Sequence, residues 1–344
     1  MEKKITVLFI WETDPRLKAH FKKTFRNKQN IRLIFPVKFD DGTLEKYAPE
    51  ADIIIGWRPS EKLISKAVNL KLFINPGTGV KHHIENFRKL RNAGRNILLI
   101  NGHGHAYATA QHAAAMLLAL MNRIVYHHNQ MTEGKWNTSD DKDTDYSSLL
   151  LRGRKIGLLG YGNINRHVHR FLSGFENEFH ILKNSWKNEG KKFKGDFAKY
   201  EQKDLKKFLK ASDILIIAIP HTEKTERLIN RQELKLLGKN CLIVNVARGI
   251  IIDEKSFFES LKSGSIAGAA IDVWYNYRPE KNKEGKEYPY SFPFHKLKNV
   301  LLSPHRAASP FDNIDRWDEV TENIFRLAEG KEEFVNVVDL DMEY

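Results

Sequence analysis

The stretch Lys155-Ile-Gly-Leu-Leu-Gly160-Tyr-Gly162-Asn-Ile-Asn165 decides the fold. It reads as a short apolar strand running into a glycine turn and then a helix. Gly160 permits a tight turn. Gly162 lets a pyrophosphate approach the backbone with no Cβ in the way, and the helix behind it offers unpaired N–H groups and the positive end of its dipole. The helix shows in the spacing of Ile164, Val168, Phe171, Leu172 and Phe175, and the apolar run Phe179 to Leu182 follows as a second strand. The segment is therefore a β-α-β unit, and a dinucleotide lying on it would meet Gly160, Tyr161, Gly162, Asn163 and Ile164.

Two residues depart from the usual pattern of such a turn. The third glycine is replaced by Asn165, and the acidic residue expected at the end of the second strand is replaced by Lys183, followed by Asn184, Ser185 and Trp186. A carboxylate there would accept from a ribose 2′-hydroxyl and repel a 2′-phosphate. A lysine beside an asparagine and a serine does the reverse, so the sequence predicts NADP in preference to NAD.

Working outward, the same alternation of strand and helix extends through the chain. Before the turn, short apolar runs stand at Ile5–Ile10, Ile31–Phe35, Ile53–Ile55, Leu72–Ile74 and Ile97–Ile100; after it, at Ile214–Ile219, Leu242–Val246, Ala269–Val273 and Val300–Ser303. Most are separated by segments of helical character, which predicts parallel sheets covered on both faces. The class is α/β, with two doubly wound parallel-sheet domains that cross near Ile100–Tyr107 and Ala307–Asp315. The residues from Asp315 onward read as a helix and then an extended tail.

Composition is consistent with this. The chain has 344 residues, 41% of them hydrophobic, enough for two cores. Its longest apolar run, Ala113 to Met121, is too short to span a bilayer and follows Gln111 and His112. The opening residues run directly into a strand with no cleavage signal, and Cys241 is the single cysteine; both predict a cytoplasmic protein. The net charge of +13 comes from lysines scattered in helix-like stretches with glutamates and aspartates, as in Lys187 to Lys210, and no nucleic-acid-binding motif accompanies it. No nucleic-acid or membrane partner is expected.

In open α/β sheets, functional side chains gather beyond the carboxyl ends of the strands. Those positions here hold Trp57 and Arg58, the turn Gly77-Thr78-Gly79, Arg248, and His305. A guanidinium holds a carboxylate by two hydrogen bonds and polarises a neighbouring carbonyl, and an imidazole carries a proton near neutral pH. With a nicotinamide as hydride carrier, that is the minimum equipment to interconvert a 2-hydroxy and a 2-oxo acid. Trp57 and Arg58 are placed to select substrate shape and charge.

The order and spacing of GTGVKHHI at 77–84, GLLGYGNIN at 157–165, PHTEKTERLIN at 220–230, VNVARG at 244–249, AAIDVW at 269–274 and LSPHRAAS at 302–309 resemble the D-isomer-specific 2-hydroxyacid dehydrogenase family over nearly the whole chain. The resemblance implies a flavodoxin-like substrate domain made of residues 1–102 and 312–344, and a Rossmann coenzyme domain of residues 103–311. It implies Arg248 as the substrate-binding arginine, His305 as the acid/base, and the Gly77–Gly79 backbone as a second hold on the substrate carboxylate. Pro220, Thr225, Val246, Ala247 and Asp272 join the coenzyme contacts. It also implies a homodimer whose contact includes the helix Tyr107 to Ile124.

In the family a glutamate follows the Asp-Val-aromatic element and pairs with the histidine; here that position falls on Tyr277. A carboxylate raises the pKa of a neighbouring imidazole, whereas a phenol only hydrogen-bonds, so His305 is expected to be less protonated at neutral pH than in other members. Glu280 or Glu284, in the charged loop 278–287, is an alternative partner. Formate dehydrogenases resemble this family and carry glutamine at the same place. Besides a 2-hydroxyacid dehydrogenase, two readings stand: a dinucleotide-binding regulator that has lost the chemistry, and a dehydrogenase of a small anion such as formate or phosphite. Gln111 occupies a place where a glutamate is usual. His103 and His105 lie at the domain crossing, but no third ligand at suitable spacing makes them a metal site.

Overall fold

The computed structural model describes residues 4–136, 147–187, 197–307, 310 and 312–344. The first three residues, Ala308 and Ser309 of the 302–309 segment, and residue 311 at the expected domain boundary lie outside the described residues. The chain divides into two compact units, Met1–His105 with Pro310–Tyr344, and Ala106–Ser309.

The first unit holds strands β1 (Ile5–Phe9), β2 (Ile31–Ile34), β3 (Ile53–Ile55), β4 (Leu72–Asn75) and β5 (Leu98–Asn101) in the order β2-β1-β3-β4-β5. All pairs are parallel. This is the flavodoxin-like order, which reverses direction between β1 and β3 and opens a crevice beyond their carboxyl ends. Both faces of a parallel sheet are covered, so its inner strands are nearly continuous apolar runs, while the edge strand β2 carries an exposed Arg32. Leu8, Ile54, Phe73 and Leu99 pack on one face with Leu63, Ile84 and Phe87. Val7, Phe9, Ile53 and Ile55 pack on the other with Phe21, Trp317 and Ile324. The covering helices include α1 (Pro15–Thr24), α2 (Asp41–Tyr47), α3 (Glu61–Lys66) and α4 (Lys81–Asn92). Aspartates or a serine cap the first three: Asp14, Asp40 and Ser60 each accept from a first-turn N–H.

The second unit holds β6 (Lys155–Leu159), β7 (Glu178–Leu182), β8 (Phe197–Tyr200), β9 (Ile214–Ile217), β10 (Leu242–Asn245), β11 (Gly268–Ile271) and β12 (Val300–Leu302), in the order β12-β11-β10-β9-β6-β7-β8. Every pair is parallel. This is the doubly wound dinucleotide-binding order with one added strand, and its switch point lies between β6 and β9. Helices α5 (Ala106–Met121) and α7 (Asn163–Leu172) pack on one face; α8 (Leu205–Lys210), α9 (Arg231–Leu237) and α10 (Glu254–Lys262) pack on the other. Between α5 and α7 lies α6 (Ile124–Thr132), and α11 (Asp318–Ala328) returns to the first unit, over β1.

The expected α/β class with two doubly wound parallel sheets is what the structure shows, and the details differ at four places. β8 has no apolar run, because it is a short edge strand: Phe197 and Tyr200 are half-buried on opposite faces while Ala198 and Lys199 are exposed. Within Lys187 to Lys210, expected to be helix-like, the helix is confined to Leu205–Lys210, and residues 188–196 lie outside the described residues. α7 ends at Leu172; Phe175 closes a following 3-10 turn and is 40% exposed, so it does not belong to the helix's apolar stripe. The helix expected from Tyr107 to Ile124 stops at Met121 because Arg123 takes a left-handed conformation, φ 53°, and a separate helix begins at Ile124.

Candidate active site

The glycine turn at the carboxyl end of β6 has the shape a dinucleotide needs. Gly160 adopts φ +86°, and a Cβ there would stand 2.6 Å from the Ala218 carbonyl oxygen, so no other residue fits. Gly162 begins α7 with no side-chain cap, which leaves the first-turn N–H groups of Asn163 and Ile164 to an anion. Asn165 is fully buried, and its Nδ2 donates to the carbonyls of Gly160 at 2.7 Å and Leu159 at 3.2 Å. An amide thus ties the turn to its strand where a third glycine would let helix and strand close together. Tyr161 is buried, with its hydroxyl 2.6 Å from His169 Nδ1.

The remaining expected coenzyme contacts surround this turn at strand ends. Lys183 follows β7, its ammonium 5.2 Å from the centroid of Trp186, and Asn184 and Ser185 are exposed beside it. Beyond β9, the Thr225 hydroxyl donates to the Pro220 carbonyl at 2.7 Å and closes that loop. Val246 and Ala247, beyond β10, are buried.

Arg248 follows Ala247. Buried Asn245 fixes it from behind, accepting from the Ala247 N–H at 3.1 Å and donating to the Arg248 carbonyl at 3.1 Å. The guanidinium donates to the Ala247 carbonyl at 2.6 Å. Burial holds Arg248 below the ordinary arginine value, and the side chain stays cationic.

His305, beyond β12, has φ +57°, a conformation few non-glycine residues adopt. Asp272 secures it there. That carboxylate is 1% exposed and accepts from the backbone N–H of Arg306 at 2.8 Å, the N–H of Ala307 at 3.1 Å, and the Ser303 hydroxyl. His112 Nε2 lies 3.0 Å from the same hydroxyl, and Trp274 Nε1 donates to the Ser303 carbonyl at 2.8 Å. Burial pushes the Asp272 carboxyl up, but His112 3.6 Å away and the hydrogen bonds from Ser303, Arg306 and Ala307 outweigh it and hold the group below its ordinary value. Asp272, expected among the coenzyme contacts, is in this structure the anchor of the histidine loop.

Tyr277 stands where the resemblance leads one to expect a glutamate, and its hydroxyl lies 2.7 Å from His305 Nδ1. It also accepts the Trp274 N–H at 3.3 Å. A phenol that already accepts is disposed to donate to Nδ1, which places the proton of a neutral ring on Nε2. Burial pushes the phenol above its ordinary value. Desolvation, then the charge of Arg248, hold His305 below the ordinary histidine value, partly opposed by Asp272. Of the two glutamates offered as alternatives, Glu284 pairs with Lys286 at 2.8 Å and Glu280 is exposed in the same loop.

In the first unit, the turn Gly77-Thr78-Gly79 follows β4. Buried Asn75 donates to the carbonyls of Gly77 and Gly79, and buried Asn101 donates to the Thr78 carbonyl at 2.9 Å. In a planar trans peptide the N–H points opposite to the C=O, so the N–H groups of Thr78 and Gly79 are turned away from both asparagines. Gly102 closes the back of the turn, since a Cβ there would stand 2.5 Å from the Pro76 carbonyl oxygen. Trp57, 36% exposed, lies against Gly77 and edge-on to Trp11 with ring centroids 4.9 Å apart, at the switch point of the sheet. Arg58 is exposed beside it.

His105 Nε2 lies 2.9 Å from the Thr78 hydroxyl, and His103 is held by its backbone N–H to Glu319 at 2.7 Å, so each has a structural task. Gln111 is exposed on α5. Asn75, Asn101, Asn245, Ser303 and His112 were not singled out from sequence. The three asparagines each close a buried apolar strand; Ser303 follows the half-exposed edge strand β12, and His112 precedes an apolar run of α5.

The family model for the NAD-binding domain of D-isomer specific 2-hydroxyacid dehydrogenases matches residues 114–307, more than half of the chain. A glyoxylate reductase of Pyrococcus furiosus is 31% identical over 227 residues, 65% of this chain and 63% of that enzyme. The match therefore spans less than two thirds of that relative. A mitochondrial formate dehydrogenase of Solanum tuberosum is 28% identical over 298 residues, 85% of this chain and 74% of its own. Among solved structures, an NADPH-dependent glyoxylate/hydroxypyruvate reductase of Sinorhizobium meliloti has the same fold, with TM-score 0.76, 22% identity, and coverage of 98% of both chains. Among the described residues, no helix is long and apolar enough to cross a membrane. The chain belongs to the D-isomer specific 2-hydroxyacid dehydrogenase family.

Proposed function

We propose that the protein is a dinucleotide-dependent oxidoreductase acting on a small 2-hydroxy or 2-oxo acid, with residues 103–311 as coenzyme domain and residues 1–102 with 312–344 as substrate domain. The observation that carries the proposal is the cluster of Arg248, His305 and Tyr277, in which the imidazole sits in a left-handed backbone conformation with its Nδ1 2.7 Å from a phenol. Strain of this kind is kept where a side chain must be aimed.

The coenzyme would be held by Gly160 to Ile164, by the loops of Pro220 and Thr225, and by Val246 and Ala247. When bound, its nicotinamide supplies or accepts a hydride. Arg248, in the second unit, binds the substrate carboxylate; in the first unit the N–H groups of Thr78 and Gly79 are available to a carboxylate. Trp57 and Arg58 meet the substrate side chain. His305 Nε2 gives a proton to the carbonyl oxygen in reduction and removes one from the hydroxyl in oxidation. In its protonated form, Nδ1–H must donate to Tyr277, so the phenol turns from donor to acceptor as the ring gains its proton. Lys183, with Asn184 and Ser185, supports NADP in preference to NAD. We also infer a homodimer in the cytoplasm: none of the α6 residues is buried within the chain, and Ile124, Val125 and Met131 are about half exposed, an apolar face suited to a second copy.

Initial rates with NADPH and with NADH, against a panel of 2-oxo acids and in reverse with 2-hydroxy acids, formate and phosphite, test the proposal. Activity on a 2-oxo acid that disappears in Arg248→Ala and His305→Ala supports it. Turnover of formate or phosphite alone would favour the small-anion reading, for which a neutral His305 is no handicap because no carbonyl needs a proton. Tight coenzyme binding without turnover of any substrate would leave the regulator.

A further inference from the structure

Thr78 is the joint of the turn beyond β4, and the peptide on either side of it is held by its carbonyl. The Gly77 carbonyl accepts from the Asn75 amide and, at 3.3 Å, from the Gly102 N–H; the Thr78 carbonyl accepts from Asn101 at 2.9 Å. The Thr78 hydroxyl lies 2.9 Å from the Gly102 carbonyl oxygen and 2.9 Å from His105 Nε2. All of these residues belong to the first unit. A carbonyl oxygen has no hydrogen, so the contact between the two oxygens is a hydrogen bond only if the hydroxyl donates. A hydroxyl has one hydrogen to give. With that hydrogen on Gly102, the oxygen can only accept from the imidazole, and His105 Nε2 must carry a proton. The result is a directed chain from His105 Nε2–H through the Thr78 hydroxyl to the Gly102 carbonyl. Its far end is fixed, because the Gly102 N–H donates to the Asn75 carbonyl at 3.0 Å and a Cβ on Gly102 would stand 2.5 Å from the Pro76 carbonyl oxygen. A β-branched side chain is stiff at χ1, so holding Oγ1 holds the Cα that joins the two peptides.

We propose that His105 is a positioning residue for the substrate: by donating from Nε2 it holds Thr78 so that the N–H groups of Thr78 and Gly79, turned away from the asparagines, stay aimed at a substrate carboxylate. This rests on the reading proposed above, in which that turn takes a carboxylate. The carboxylate keeps its charge throughout the reaction, so the hold is the same in ground state and transition state and acts on binding, not on the hydride step. The requirement also separates two histidines of the molecule. His305 must exchange its Nε2 proton, whereas His105 must keep it.

Two measurements test this. In alkaline buffer, where imidazoles are neutral, long-range proton–nitrogen correlation spectra of the full chain report the tautomer of each ring, and the signal lost in His105→Gln identifies this one. The Nε2–H tautomer is expected; the Nδ1–H tautomer would overturn the assignment whatever reaction the protein performs. In initial-rate assays with a 2-oxo acid that the wild type reduces, His105→Ala and Thr78→Val should each raise KM about fivefold, the scale of one neutral hydrogen bond, with kcat and coenzyme affinity unchanged. The double variant should be no worse than either single one, because both break the same chain. His105→Gln, whose amide nitrogen donates from close to the place of Nε2, should recover most of the loss. Additive losses in the double variant, or an unchanged KM in His105→Ala at wild-type melting temperature, would overturn the positioning role. A wild type that shows the Nε2–H tautomer yet reduces no 2-oxo acid would sink the functional reading on which that role rests, and the role with it.

Discussion

Replacing Tyr277 by glutamate would restore a carboxylate to His305 and should raise the pH at which the enzyme loses its reductase activity. The phenol is 2.7 Å from Nδ1, and a glutamate carboxylate can reach the same nitrogen. Two unit charges at about 4 Å attract by about 4 kcal/mol at an effective dielectric near 20. His305 is an exposed residue whose ring is only partly desolvated; screening there reduces the attraction to the lower end of the range seen for paired groups, about one pH unit. The sign follows from which form is used. Reduction uses the imidazolium, which is lost as pH rises through the histidine pKa. Desolvation and Arg248 hold that pKa below its ordinary value, so the wild type loses reductase activity on the acidic side of neutrality. The glutamate variant should retain it to higher pH, with kcat/KM for reduction up to about tenfold higher around neutral pH. Oxidation uses the neutral ring and should shift the opposite way, losing rate at low pH. The assay is a kcat/KM profile against pH in both directions, alongside Tyr277→Phe, which removes the hydrogen bond without adding charge. Profiles of wild type and Tyr277→Glu that superimpose, with coenzyme affinity and melting temperature intact, would refute the argument that residue 277 sets the protonation of His305.

Other outcomes follow from single contacts. Gly160→Ala should abolish dinucleotide binding, measured by titration, because it places a Cβ 2.6 Å from the Ala218 carbonyl oxygen at a φ of +86°. Asn245→Ala should free the Arg248 loop by removing both hydrogen bonds of a buried amide; the expected cost is about 1–3 kcal/mol in stability by denaturant titration and a rise in KM larger than that in Asn245→Asp, whose Oδ1 still accepts from Ala247. His83 is 4% exposed, and burial lowers its pKa to about 3. The unfolded chain takes up the proton near the ordinary 6.5 and the folded chain does not, so stability should be full above that pH and fall below it by about 1.4 kcal/mol per pH unit at most. His83→Leu, measured by melting temperature from pH 7 to 4, should flatten this fall.

Much of the fold was legible because parallel strands buried on both faces are continuous apolar runs. Ile53–Ile55 and Ile214–Ile217 carry that signal without ambiguity. β8 escaped because an edge strand needs no such run, and Phe197-Ala-Lys-Tyr200 resembles its lysine-rich surroundings. The helix break at Arg123 escaped because a left-handed arginine leaves no mark in composition. In the site, the residues of ionisable chemistry, Arg248, His305 and Tyr277, stood out by type and position. The neutral amides did not. Asn75, Asn101 and Asn245 each end a strand, and nothing in an apolar pattern distinguishes an asparagine that organises a loop from one that ends a strand in water.

Those three asparagines explain how two different sheets arrive at comparable sites. A parallel strand that ends in a functional loop must satisfy the first peptide groups beyond it, because the ladder no longer can. Asn75 and Asn101 take the carbonyls of residues 77 to 79 inward, leaving N–H groups to face a carboxylate; Asn245 does the same for the carbonyl of Arg248 while taking the N–H of Ala247. Asp272 acts similarly as a charged group, drawing the N–H groups of Arg306 and Ala307 under His305. The negative charge that orients the histidine loop is therefore buried behind it and shared among three hydrogen-bond donors, instead of being presented to Nδ1. With the orienting carboxylate spent on the backbone, Nδ1 is left to a neutral partner, and Tyr277 fixes which ring nitrogen carries the proton of the neutral ring without supplying the charge that would keep the ring protonated. A site built in this way should keep the aim of His305 when Tyr277 is changed and lose it when Asp272 is. Asp272→Asn should therefore depress kcat in both directions at every pH, whereas changes at Tyr277 should move the pH profile and leave its plateau largely in place.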